Sequence, residues 1–98
     1  LLAKDTRTLY GAEAKYLVAL QWYNAGNYAS AEKEILNFID QSTPHAYWLA
    51  RSFILLSDVY VAMDKKLDAR QYLLSLQQNY QADDDIASMI NERLEKLK

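Results

Sequence analysis

An all-α fold is what this sequence predicts: two antiparallel helix hairpins followed by a terminal capping helix. Three observations carry that reading. Two glycines and one proline among 98 residues are too few for the turns of an all-β domain. Apolar residues recur at helical spacing along five separate segments. The chain also superimposes on itself after a shift of 38 residues.

The first helix is expected over about residues 6–25, with Asp5 as N-cap accepting the unpaired N–H groups of the first turn. It closes at Asn24-Ala25-Gly26-Asn27, where Gly26 supplies the left-handed conformation that ends a helix. The second covers about residues 28–41 and gathers Ala31, Ile35, Phe38 and Ile39 on one face. The third starts at Ser42-Thr43-Pro44, with Thr43 as cap and Pro44 at the first helical position, and runs to about Met63. The fourth spans about residues 66–80. The fifth starts at Asp83-Asp84-Asp85 and runs to the end. Its acidic start and the closing Lys96 and Lys98 both suit the helix dipole.

The 38-residue shift places Ala12 on Ala50, Leu17 on Leu55, Ala31 on Ala69 and Leu36 on Leu74. It also aligns Asp5 with Thr43, Tyr10 with Trp48, Val18 with Leu56, Trp22 with Tyr60 and Phe38 with Leu76. Caps, small residues and aromatics thus fall into one register, which a helix-hairpin repeat explains. The single domain divides into a first repeat over about 5–42, a second over about 43–81, and a capping helix over about 83–98.

The second unit reads Phe53-x2-Leu56-Ser57-x2-Tyr60 and then Ala69-x3-Leu73. The first reads Lys15-x2-Val18-Ala19-x2-Trp22, then Gly26, then Ala31-x3-Ile35, with Pro44 closing the unit. This pattern resembles the tetratricopeptide repeat family over about residues 5–81. Small residues at Ala19, Ser57, Ala31 and Ala69 let two helices cross closely, and a large aromatic fills the space beside the crossing. Two features depart from the family. Lys15 stands where a large apolar residue is preferred, and the unit is longer than the usual repeat, with the extra turn expected around His45 to Leu49. Longer units of this kind look like those of bacterial envelope assembly lipoproteins, so the resemblance implies a bacterial periplasm or envelope setting. The fifth helix carries Ile86, Met89, Ile90, Leu94 and Leu97 on one side and a polar back, the character of the end of a repeat array.

Composition narrows the function. A net charge of -2 with no basic run leaves no phosphate-binding surface, so nucleic acid is not an expected partner. No apolar run approaches membrane-spanning length, and no membrane insertion is expected. The absence of cysteine removes thiolate catalysis and sulfur-ligated zinc. His45 is the one histidine and reads as a surface residue rather than a metal ligand. Asp83, Asp84 and Asp85 lack the alternate spacing around a glycine that a calcium loop needs, and read as helix-capping acids. The serines have no histidine base near them in spacing, and Gly11 and Gly26 are too far apart for a phosphate loop. No catalytic residue, cofactor or metal site is expected. The chain opens on Leu1 rather than methionine, which reads as a segment of a longer protein.

Recognition of another protein or peptide is the remaining expectation, and the resemblance implies its place. In the family, the first helices of successive units line a concave face. Here that face would carry Leu9, Glu13, Tyr16, Leu20, Tyr23 and Asn24 from the first helix, with Tyr47, Arg51, Ile54, Asp58, Val61 and Ala62 from the third. Glu13 and Arg51 are equivalent positions of adjacent units, placed to pair laterally and flank the groove. Relatives that bind chaperone C-termini clamp a carboxylate with Lys and Asn four residues apart on this stripe. Tyr16 with Leu20, and Ile54 with Asp58, hold the matching positions here, so such a ligand is not expected. The alternatives are a purely structural end-cap or homo-oligomerisation module, or a non-catalytic segment of a larger enzyme. Exposed apolar groups on the stripe would favour a partner, and buried ones would favour end packing.

Overall fold

A computed structural model describes residues 9–40, 45–80 and 84–97. It contains five helices and, among the described residues, no strand: α1 (Leu9–Asn24), α2 (Tyr28–Asp40), α3 (Ala46–Ala62), α4 (Lys66–Asn79) and α5 (Ile86–Lys96). The all-helical expectation therefore holds. The side chains of Leu9 and Tyr10, and the expected caps Asp5 and Thr43, lie outside the described residues, as do Pro44 and Asp83. The third helix begins at Ala46 with His45 in the N-cap position, later than the sequence suggested.

The turns that close the two hairpins are the same turn. Gly26 and Asp64, 38 positions apart in the chain, both adopt positive φ, 82° and 62°. In the first turn the Asn27 N–H donates to the Trp22 carbonyl at 2.9 Å and the Gly26 N–H to that of Tyr23 at 3.0 Å. In the second the Lys65 N–H donates to Tyr60 at 2.7 Å and the Asp64 N–H to Val61 at 3.1 Å. These paired bonds are the Schellman closure of a helix, which needs a left-handed residue at its centre. Glycine is the usual occupant, and aspartate is one of the few others that tolerates it. After the first turn Asn27 caps α2, its side-chain oxygen accepting the Ser30 N–H at 3.4 Å.

Helix α1 packs on α2, α3 packs on both, α4 pairs with α3, and α5 lies against α3 and α4. So α5 meets the second hairpin as α3 meets the first. Two apolar clusters hold the stack. The first joins Ala19, Ala31, Ile35, Leu55, Leu56, Val59 and Tyr60 between α1, α2 and α3, with Ala69 of α4 at its edge. The second joins Ala50, Ile54, Leu73, Leu76, Ile86 and Ile90 beneath α5. Each such fully buried aliphatic side chain contributes about 1.5–3 kcal/mol before entropy.

The small residues at the helix crossings are buried as expected: Ala19, Ser57, Ala31 and Ala69 are all at most 1% exposed. Lys15 does not leave a void. Its stem is covered and its ammonium meets the Glu34 carboxylate of α2 at 3.5 Å, with 13% of the side chain exposed. Trp22 departs from expectation. It aligns with buried Tyr60, yet it is 40% exposed.

Candidate functional site

The face shared by α1, α3 and α5 has two ends with different chemistry. At one end Arg51 is held by aromatic groups. Its guanidinium donates to the Tyr47 hydroxyl at 3.0 Å and the Tyr16 hydroxyl at 3.3 Å. It also lies over the rings of Tyr16, Tyr47 and Trp48, with its central carbon 5.1, 5.8 and 5.9 Å from the centroids. The Tyr47 O–H in turn donates to the Asp85 carboxylate at 2.9 Å, which ties α3 to the start of α5. A cation that is stacked and hydrogen-bonded within the fold is committed to structure.

At the other end the side chains diverge and leave a groove of about 370 Å³. Tyr23 of α1, Ser57, Asp58 and Val61 of α3, Lys66 of α4, and Arg93, Lys96 and Leu97 at the end of the chain line it. Asp58 and Arg93 form a two-pronged pair across it, Nε to Oδ1 at 2.9 Å and Nη2 to Oδ2 at 3.0 Å. Burial, and then the Asp58 carboxylate, push the Tyr23 phenol above its ordinary 10.0, so it remains a neutral donor through the physiological range. Ser57 Oγ is buried at the groove and makes no hydrogen bond. The groove therefore offers the apolar side chains of Val61 and Leu97 and the ammonium of Lys66, with the Lys96 ammonium 3.8 Å from the Glu92 carboxylate.

The structure distributes the expected stripe unevenly. Tyr16 and Ile54 are 7% and 1% exposed, so neither presents an anchor to solvent. Leu20 is half-buried against the first cluster. Glu13, Tyr23, Tyr47, Arg51 and Asp58 are partly exposed, while Asn24, Val61 and Ala62 are open. Glu13 and Arg51 do not pair; Arg51 turns instead to Tyr16 and Tyr47. Side chains that meet across neighbouring helices fall at more than one spacing: Arg51 with Tyr16 and Arg93 with Asp58 are 35 residues apart, and Tyr47 with Asp85 is 38.

Sequence reasoning missed Ser57, Lys66, Arg93, Lys96 and Leu97 as groove residues. The 38-residue register sets Arg93 against Leu55 and not against Asp58, so it carried no signal for this pair.

The acidic run at the start of α5 acts within the fold. Asp84 Oδ1 accepts the Ile86 N–H at 3.0 Å, and its other oxygen accepts the Tyr80 hydroxyl. That bond, foremost, pushes the Tyr80 phenol up to about 12. Among the described residues no helix is long and apolar enough to cross a membrane. Compared with protein-family models, with curated proteins and with solved structures, the chain shows no match.

Proposed function

We propose that this chain is a protein-interaction module of the tetratricopeptide kind, and that it takes a segment of its partner in the groove between Tyr23, Val61, Lys66 and Lys96. The observation that carries this reading is the groove itself: Val61 and Leu97 beside two lysines, Lys66 and Lys96, around a neutralised Asp58–Arg93 pair. Such a site suits a peptide with an apolar anchor and an acidic neighbour. The anchor would cover Val61 and Leu97, and a carboxylate would meet Lys66, or Lys96 in exchange for Glu92. Binding fits this reading, because the Asp58 carboxylate in the groove is already engaged by Arg93.

The test is site-specific crosslinking. A photoreactive side chain at Val61, which is exposed in the groove, is expected to crosslink a discrete protein. The same group at Asn37, exposed on α2 away from the groove, is expected to give none. Equal labelling from both positions, or none from Val61, overturns the assignment.

A second reading, an end-cap without a ligand of its own, draws on the burial of Tyr16 and Ile54 and on the polar outer residues of α5. It predicts that Lys66→Glu with Lys96→Glu leaves every association of the full protein intact. The interaction reading predicts that association is lost while melting is unchanged.

A further inference from the structure

The charges that line the groove differ in how far the fold has already committed them. Lys66, Arg93 and Lys96 are its cations, and Asp58 is its carboxylate. Every nitrogen of the Arg93 guanidinium is engaged. Nε and Nη2 donate to the two Asp58 oxygens at 2.9 and 3.0 Å, and Nη1 donates to the Met89 carbonyl at 3.3 Å. A two-pronged pair of this kind is fixed by direction as well as by charge. The lysines are held far less. Lys96 stands 3.8 Å from Glu92 with side chains 73% and 64% exposed, a surface pair of little strength. Among the described residues Lys66 makes no ion pair. Asp64 and Asp68 gather with Lys65 around the adjoining turn and do not line the groove.

Both members of the Asp58–Arg93 pair are felt inside the groove. Burial first, and then Asp58, hold the Tyr23 phenol above its ordinary 10.0, while Arg93 draws it back. Without Arg93 the Asp58 carboxylate would stand uncompensated among the lining residues. It would repel an incoming carboxylate, and the long, flexible lysine side chains would turn to it instead of to a ligand.

We infer that Arg93 sets the charge of the segment the groove accepts: by saturating Asp58 it leaves Lys66 and Lys96 to receive a ligand carboxylate, without touching the ligand itself. The inference rests on the groove being the binding site and deepens that reading. The occupant places an apolar side chain on Val61 and Leu97 and an Asp or Glu side chain at Lys66. A basic segment would meet two ammonium groups and, among the described lining residues, no uncommitted carboxylate. Arg93 is thus a positioning residue on α5 whose effect is read in the ligand's charge.

The probe is a displayed library of random peptides, selected on the chain and counter-selected on Val61→Asp, so that only groove-dependent peptides survive. A selected peptide is then synthesised with Glu, and with Gln in its place, and both forms are titrated by fluorescence anisotropy. The Glu form is expected to bind the native chain about tenfold more tightly. That advantage should shrink as salt is raised. Arg93→Gln should abolish it by exposing Asp58, and Arg93→Lys, which keeps the charge, should retain it. Arg93→Gln with Asp58→Asn should restore it, although that chain also lacks the pair. A merely structural bridge predicts equal loss in the single and double variants, and that result overturns the inference. A Glu advantage that survives Arg93→Gln overturns it as well. Groove-dependent peptides that do not distinguish Glu from Gln leave the groove as a binding site and overturn the inference alone. A library that yields no peptide sensitive to Val61→Asp overturns both.

Discussion

Helix α5 supplies one wall of the groove, and its attachment can be tested by setting burial against charge. Ile90 is 1% exposed in the cluster with Ile54, Leu73, Leu76 and Ile86. Ile90→Ala removes three methyl or methylene carbons from a filled site and is expected to cost about 2–5 kcal/mol. Arg93→Ala removes the pair with Asp58, whose side chains are 23% and 24% exposed, and is expected to cost about 1 kcal/mol or less. A chain of 98 residues has roughly 5–15 kcal/mol in total, so the Ile90 change takes a large share. Equilibrium urea unfolding followed by circular dichroism measures both. The melting temperature gives an independent reading, falling by about 4–8 °C for each kcal/mol at this size. A loss below about 1 kcal/mol at Ile90, or a larger loss at Arg93 than at Ile90, would refute the reasoning that apolar burial rather than the ion pair docks α5.

Other outcomes follow from the same geometry. Tyr16→Ala with Ile54→Ala is expected to unfold the chain by calorimetry, since both side chains are buried; a double variant with an unchanged melting transition would place them outside the core. Gly26→Ala should destabilise by about 1 kcal/mol in urea unfolding, a purely backbone cost because a Cβ there meets nothing within 4 Å. Asp64→Gly at the equivalent turn should be neutral or stabilising in the same assay. The Tyr80 phenol is raised from its ordinary 10.0 to about 12 by its hydrogen bond to Asp84, so the fold favours the neutral form. That contribution is complete below pH 10 and is lost as pH rises through about 12, and Tyr80→Phe should flatten this part of the stability profile.

Much of the architecture was legible because helix formation here is local. Glycine at position 26 marks a left-handed turn wherever it is placed after a helix, and Ala31 and Ala69 mark close crossings by size alone. The 38-residue register aligned Asn24 with Ala62 and Tyr28 with Lys66, the helix ends that flank the two turns. Asp64 was not recognised as the second turn's left-handed residue, because aspartate adopts that conformation only when its surroundings require it. The site was less legible. Which stripe residues are open depends on which side chains of neighbouring helices meet, and no residue in either helix encodes that by itself. In the fold Arg51 meets Tyr16 rather than Glu13, Asp58 meets Arg93, and Tyr16 and Ile54 are buried. Trp22 and Tyr60 make the same point: equivalent in sequence, one is exposed and the other buried, because burial belongs to the neighbouring helix and not to the residue. The sequence by itself determined the helices and the turn at Gly26, each set within a few residues of chain. Only the tertiary structure decided the lateral pairing, the groove and the exposure of Trp22, since each depends on contacts between residues far apart in the chain.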